Sequence, residues 1–336
     1  MQTIRWGLIG CGDIAEKRVA PAMHDLDGHM LRAVARNDAS RVEEFAARFG
    51  AVRAYATAEE VIADPDVNAI YLATPVDLHL PHTLAAAEAG KHVLCEKPMA
   101  LNTGECDRMI EACDKAGVLL GVAYYRRFYP AVLEIKRLIA ENTLGKPILG
   151  RVLATEYWTY PPSHPFDWRL TLAHSGGGPL MDFGSHRIDI LLDILGPVTE
   201  VAAFSDRLVF EREVEDSALV ALRHASGAQS IVGAYHTIGP PGDELEIFGS
   251  GGKVTIDTLN EGFLQVTSGG NCQTIERPPH ANLHLPLIED FGAAISGGRQ
   301  PRVTGRTGRL TSRVMEAAYR ASREGITIKV KTSDGD

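Results

Sequence analysis

No stretch of this 336-residue chain approaches the ~18 consecutive apolar residues that a helix needs to cross a bilayer. Cysteine is scarce. The five present (Cys11, Cys95, Cys106, Cys113 and Cys272) are odd in number and form no Cys-x-x-Cys pair, which excludes a disulfide framework and a zinc-finger pattern. Positive charge is in deficit. With 34 Lys and Arg against 43 Asp and Glu, the net charge of −9 argues against nucleic acid or an anionic membrane as partner. The opening Met1-Gln2-Thr3-Ile4-Arg5-Trp6 lacks the basic start, apolar stretch and small-residue cleavage site of a signal peptide. A reducing cytoplasm is the expected compartment. Internal repeats and low-complexity segments are also lacking, and only residues 332–336 read as a loose tail.

What is present is the composition of a globular protein, 45% apolar and 23% charged, at a length that calls for two domains. In the first third, short apolar or β-branched runs at 4–9, 31–35, 69–73, 92–94 and 118–122 read as buried strands. Between them, residues 14–23, 41–49, 80–89 and 106–116 carry helix formers at helical spacing. Thr57-Ala58-Glu59-Glu60 has the form of a capping box that opens a short helix, stopped by Asp64-Pro65. Such alternation implies right-handed crossovers and an α/β domain with a parallel sheet.

After about residue 122 the rhythm changes. A helix at 131–140 leads to a strand and to a loop rich in Pro, Trp and Gly, and a second helix spans 179–195. Runs 217–223 and 229–236 flank the turn Ala225-Ser226-Gly227, while 244–248 and 253–257 flank Gly249-Ser250-Gly251-Gly252. Helices at 285–295 and 307–323 and a strand at 326–330 close the chain. The expected division is a dinucleotide-binding domain over 1–122 and an α+β domain with a largely antiparallel open sheet over 123–336.

Gly10-Cys11-Gly12-Asp13-Ile14-Ala15 follows the first strand and opens the first helix. It fits G-x-G-x-x-[GA]: Gly10 permits the tight turn, Gly12 lets the backbone approach a pyrophosphate, and Ala15 allows close helix–strand packing. The helix N-terminus then offers N–H groups and partial positive charge to phosphates. At the end of the next strand, an acid bonds the ribose 2′-hydroxyl of NAD, whereas arginine accommodates the 2′-phosphate of NADP. Here Arg36-Asn37-Asp38 favours NADP over NAD. The plainer alternative makes Arg36 a solvated loop charge and Asp38 a helix cap.

Lys97, in Cys95-Glu96-Lys97-Pro98, stands at the carboxyl edge of the parallel sheet, where open α/β sheets bind ligands. A lysine there can stabilise charge developing on a substrate oxygen. In Gly176-Gly177-Gly178-Pro179-Leu180-Met181-Asp182-Phe183-Gly184-Ser185-His186, the proline starts a helix on which Asp182, His186, Asp189 and Asp193 share one stripe. The rest of that helix is apolar apart from Arg187, so it is expected to be buried with the stripe facing a cleft. His186 is suited to proton transfer, and Asp182 could orient it; a hydrogen-bonded structural histidine is the competing reading. His280 and His284 are four apart, but no acid lies between them and no third ligand is evident, so no metal site is expected. His79 and His82, beside Pro81, are read as bordering a cofactor cleft.

Together these motifs resemble the glucose–fructose oxidoreductase and inositol dehydrogenase (Gfo/Idh/MocA) family over almost the full length. The carriers are the glycine motif, Ala73-Thr74-Pro75, the stretch from Ala89 to Pro98 that ends in Glu-Lys-Pro, Arg127-Phe128-Tyr129-Pro130, and Gly176-Gly177-Gly178 leading to Asp182-x-Gly184-x-His186-x-x-Asp189. The resemblance implies a Rossmann domain followed by an open-sheet domain used for dimer or tetramer contacts. It implies hydride transfer between NAD(P) and a secondary alcohol or ketone of a sugar, polyol, inositol or related diol. Lys97 and His186 would act on the reacting oxygen with Asp182 in support. Thr74, Pro75, His79, Glu96 and Lys97 would join Gly10, Cys11, Gly12, Asp13, Ile14 and Arg36 around the cofactor, with Pro98 after a cis peptide. Arg127 and Arg169 would join Lys97, Asp182 and His186 around the substrate. A redox-neutral glycosidase with bound NAD and a non-catalytic nucleotide-binding regulator are the alternatives.

Overall fold

The computed structural model describes residues 3–161 and 163–332, without the side chain of Ala39. The readings made for Met1, Gln2 and the tail beyond residue 332 therefore lie outside the described residues. The chain separates into two compact units: residues up to Tyr125 with His280–Arg309, and Arg126–Pro279 with the chain from Leu310 onward.

The first unit holds a six-stranded parallel sheet made of β1 (Ile4–Ile9), β2 (His29–Ala35), β3 (Arg53–Tyr55), β4 (Ala69–Leu72), β5 (His92–Cys95) and β6 (Leu120–Val122), in the order β3-β2-β1-β4-β5-β6. All four residues of β4 are buried, as in a strand covered on both faces. β3 was not foreseen, because three residues are too few to show a period. The helix expected at 14–23 is wider than anticipated. Its first part, Ala15–Val19, is a π turn that runs into α1 (Ala20–Asp25), and the Ala20 N–H reaches back to Ala15 O. Pro21 follows at once; it has no N–H, and its ring crowds the carbonyl four residues back. α2 (Ala39–Phe49), α3 (Ala58–Ala63), α4 (His79–Glu88) and α5 (Thr103–Ala116) follow. The Thr57/Glu60 capping box at α3 is present in both directions.

The second unit contains α6 (Pro130–Ala140), α7 (Leu172–Ser175) and α8 (Ser185–Leu195). Its nine strands are β7 (Pro147–Tyr157), β8 (Val198–Asp206), β9 (Ser217–His224), β10 (Gln229–Tyr235), β11 (Thr237–Gly249), β12 (Gly252–Ile256), β13 (Phe263–Ser268), β14 (Asn271–Glu276) and β15 (Ile328–Lys329). Their order is β14-β13-β12-β11-β7-β10-β9-β8-β15, with β7 and β10 parallel and the other described pairs antiparallel. Both expected strand pairs form, β9 with β10 and β11 with β12. β8, β13 and β14 were missed; β14 is exposed along nearly all its length, so it carries no burial pattern to read. The last strand is shorter than expected. α8 lies close on β7 because Gly150 has no side chain: a Cβ there would stand 2.7 Å from Leu191 and 2.9 Å from Leu195.

α9 (Leu285–Gly297) belongs to the first unit, so the chain does not divide once at 122/123. Its buried Leu287, Ile288, Phe291 and Ala294 need an apolar partner. Phe291 lies 5.9 Å from the Trp6 ring, and a Cβ on Gly121 would come within 2.8 Å of Phe291. These partners are distant in sequence, so spacing alone could not reveal them. α10 (Gly305–Glu324) follows. Among the described residues no helix is long and apolar enough to cross a membrane.

Candidate active site

In the first unit, the turn after β1 has the geometry the glycine motif requires. Gly10 has φ +95°, and a Cβ there would lie 2.5 Å from Ala73 O and 2.9 Å from Thr74 N. Both the left-handed backbone and the close approach of the β4 end demand glycine. A Cβ at Gly12 would meet nothing within 4 Å, so that backbone is open on its Cβ side. The chain becomes helical at Asp13 and Ile14, and Ala15 is fully buried. Asp13 itself is exposed and pairs with Lys17. Cys11 is buried with Sγ 3.5 Å from Ala35 O, and burial pushes its thiol up to about 12 although the Arg36 charge opposes this. It is therefore an inert packing group.

Arg36 is half-buried at the end of β2 and donates from one Nη to Cys11 O at 2.6 Å. Asp38 accepts from the Arg41 N–H and caps α2, as in the plainer alternative. Thr74 and Pro75 follow β4, and Thr74 Oγ1 is buried without a hydrogen-bond partner among the described residues. His79 is placed differently from expectation. Its Nδ1 lies 3.0 Å from Pro98 O and its Nε2 3.0 Å from Thr74 O, so both nitrogens are engaged by backbone carbonyls. It clamps the end of β4 to the turn after β5 and has no ring nitrogen left for a cofactor.

That turn is anchored by Glu96. Its Oε1 accepts from Tyr71 Oη at 2.7 Å and lies 3.2 Å from His284 Nε2, while Oε2 accepts the Lys97 N–H at 3.2 Å. Burial alone would raise the Glu96 pKa. The hydrogen bond and charge of His284, the Tyr71 hydroxyl and the Lys97 charge outweigh it and hold the group at about 2. Lys97 is half-buried, and the Lys97–Pro98 peptide is cis, as the resemblance implies. His284, considered above only as a metal ligand, is instead an internal partner of Glu96. Among the described residues no cluster of His, Cys, Asp or Glu suits a metal.

In the second unit, the glycine-rich helix start is held by Glu215. Its carboxylate accepts from Gly178 N at 2.7 Å and from Leu180 N at 3.1 Å, and Tyr319 Oη donates to it at 2.8 Å. Burial raises its pKa, opposed by these donors. A Cβ on Gly177 would stand 2.1 Å from Tyr319 Oη, and one on Gly178 would stand 2.0 Å from Glu215 O. Small residues are compulsory there. The first turn, Leu180–Gly184, is a π turn, followed by α8. Asp182 is half-buried with Arg169 Nη1 at 3.8 Å, and His186 is 4% exposed.

The expected polar stripe splits. Asp182 and His186 lie in the first turns, whereas Asp189 and Asp193 belong to a buried ion-pair cluster. Arg127 grips Asp189 with two bonds of 2.7 and 2.8 Å and donates to Asp193 at 3.1 Å, where Lys136 also binds. Nε, Nη1 and Nη2 of Arg127 are thus committed to the protein, which corrects the expectation of a substrate-binding arginine. Arg187, the residue off the stripe, is also buried. With Arg126 it holds Asp243, whose pKa these two arginines lower against the effect of burial. Arg169 lies 5.4 Å from the rings of both Phe166 and Trp168, in a loop where Tyr160 stacks on His164 at 4.1 Å. Pro162, in the same loop rich in Pro, Trp and Gly, is outside the described residues. Glu215, Tyr319, Asp243 and His236 escaped the sequence reading, because no local motif surrounds them.

With this geometry in place, comparison with known proteins is direct. The oxidoreductase family described as having an NAD-binding Rossmann fold covers residues 4–124, and the GFO/IDH/MocA C-terminal domain covers residues 132–255. The chain is 31% identical to a 1,5-anhydro-D-fructose reductase of Ensifer adhaerens, over 98% of this chain and 99% of that one. An aldose-aldose oxidoreductase from Caulobacter crescentus, complexed with glycerol, superposes with a TM-score of 0.88 at 30% identity, covering 98% of this chain and 100% of that one. A levoglucosan dehydrogenase in complex with NADH has the same fold, with a TM-score of 0.91 at 24% identity over 99% and 100% of the two chains. The chain belongs to the Gfo/Idh/MocA family of oxidoreductases. It is an enzyme of the dehydrogenase and reductase class with a Rossmann unit for a nicotinamide dinucleotide.

Two predictions follow the geometry. Gly12→Ala should leave the melting temperature almost unchanged and weaken dinucleotide binding about tenfold or more, while Gly10→Ala should destabilise the fold itself. Wild-type dinucleotide affinity in Gly12→Ala would refute the assignment of this turn. Arg127→Ala should cost about 3 kcal/mol or more, because it strands a buried carboxylate. An unchanged unfolding midpoint together with a raised substrate KM would restore Arg127 to the substrate site.

Proposed function

We propose that this enzyme interconverts a secondary alcohol and a ketone on a sugar, polyol, inositol or related diol, with NADP favoured over NAD. The observation that carries this is the start of the catalytic helix: Asp182 and His186 sit in the first turns of a buried helix whose first N–H groups are held by Glu215. The turn around Gly10 and Gly12 and the idle, buried Thr74 Oγ1 suit a pyrophosphate-bearing ligand. Arg36 supports NADP: no acid ends β2, and its guanidinium makes one hydrogen bond, to Cys11 O, among the described residues. A bound nicotinamide supplies the hydride chemistry.

The protein's residues handle the oxygen and its proton. His186 takes the hydroxyl proton during oxidation and returns it during reduction. Lys97 stabilises negative charge developing on the same oxygen. Asp182 favours the charged form of His186, and Arg169 positions Asp182 and donates to substrate hydroxyls. The relatives named for sugar-derived substrates point to the same class of compound.

We further propose that the protein is a homo-oligomer covered on its open sheet face. Phe204 is 72% exposed beside Leu219 on the neighbouring strand, and Ile231 is exposed on the next. Sedimentation should show dimers or tetramers that Phe204→Glu weakens; a monomeric wild type would overturn the proposal.

The catalytic reading is tested by nicotinamide absorbance across sugars, inositols and diols, with NAD and NADP in parallel. We expect turnover with a polyol or sugar, faster with NADP, and losses of about a hundredfold or more in Lys97→Met and His186→Asn. Wild-type turnover in both variants would sink the residue roles, and a preference for NAD would sink the role of Arg36.

A further inference from the structure

The second unit holds a histidine whose protonation state is dictated by its neighbour. Arg212 Nη2 donates to the Glu215 carbonyl at 2.6 Å and lies 3.0 Å from His236 Nδ1. A guanidinium only donates, so Nδ1 must accept, and a neutral ring must carry its proton on Nε2. The ring is neutral near physiological pH. Burial, with Arg212 and Arg169 acting in the same direction, pulls its pKa down to about 4 against the opposing charges of Asp182 and Asp216.

The ring is also fixed in place. It lies 4.4 Å from the Trp158 ring and 4.9 Å from the Phe183 ring, the residue after Asp182, and is 2% exposed. Its backbone N–H donates to Asp216 O, and its carbonyl accepts from Trp158 N. Yet the Nε2–H has no acceptor among the described residues. A donor held this firmly, with no protein group to accept from it, is left for a molecule that enters the site.

We infer that His236 is a specificity-determining residue, whose Nε2–H donates to a hydroxyl, carbonyl or ring oxygen of the substrate bound near Asp182. The inference rests on the sugar or polyol reading above. It names a second fixed point by which the second unit selects its substrate, in addition to the group that moves the proton. A site built to hydrogen-bond an oxygen discriminates strongly against analogues that lack it.

The test is nitrogen-15 histidine NMR on the full-length protein with bound dinucleotide, with His236→Phe and His186→Asn used for assignment. Myo-inositol, D-glucose and glycerol serve as probes. The expected spectrum shows His236 protonated on Nε2 at about pH 7, with that resonance shifting when a polyol is added. In the kinetics of the substrate that turns over, His236→Phe should raise KM about tenfold or more, with a smaller change in kcat and an unchanged dinucleotide KM. An Nδ1-protonated ring, or polyols that shift His186 but not His236, would overturn the inference and leave the polyol reading intact. If none of the polyols moves either histidine, the polyol reading fails and the inference falls with it.

Discussion

A helix that starts inside a protein must satisfy its first N–H groups without water, and in this enzyme the Glu215 carboxylate does so. It takes the N–H groups of Gly178 and Leu180 and the Tyr319 hydroxyl on its two oxygens. Its negative charge also complements the partial positive charge of the helix N-terminus. Gly177 and Gly178 are the counterpart of this arrangement, because a side chain at either would strike Tyr319 or Glu215. What the start of the helix presents, Asp182 and His186, is presented at a place fixed by these contacts. Further along, Arg127 and Lys136 neutralise Asp189 and Asp193, so the same helix can be apolar on most of its surface and still carry five ionisable groups.

The first unit solves a similar problem at Lys97. Glu96 is buried, yet His284, the Tyr71 hydroxyl and the Lys97 charge keep it ionised, and it also takes the Lys97 N–H. His79 ties the same turn to the end of β4. In both units a buried carboxylate holds the backbone next to a side chain to which the proposal gives a chemical role. That is a preorganised arrangement, costly to assemble and stiff once assembled.

Much of this was legible in the sequence, and the parts that were not share a cause. The glycine turn, the capping box at Thr57 and the helix carrying Asp182 and His186 are local patterns, read within a dozen residues. Gly10 is the clearest case, since its φ and its contact with Ala73 follow from the turn the motif describes. The partners of those motifs are distant in sequence. Glu215 lies 37 positions from Gly178, and His284 lies 188 from Glu96. Arg127 illustrates the opposite error: its motif suggested a substrate contact, but the residues that occupy it stand 62 and 66 positions away. Secondary structure failed for a different reason, where strands were too short or too exposed to show a period, as in β3 and β14.

The central claim is that the enzyme moves a hydride from an alcohol carbon to a nicotinamide while its own residues manage the proton. The most direct measurement uses a sugar or polyol deuterated on carbon, incubated with enzyme and oxidised dinucleotide, with the reduced dinucleotide analysed by mass spectrometry. The account predicts that the reduced dinucleotide carries the deuterium. Deuterium released to water, or a product formed without any reduced dinucleotide, would contradict it.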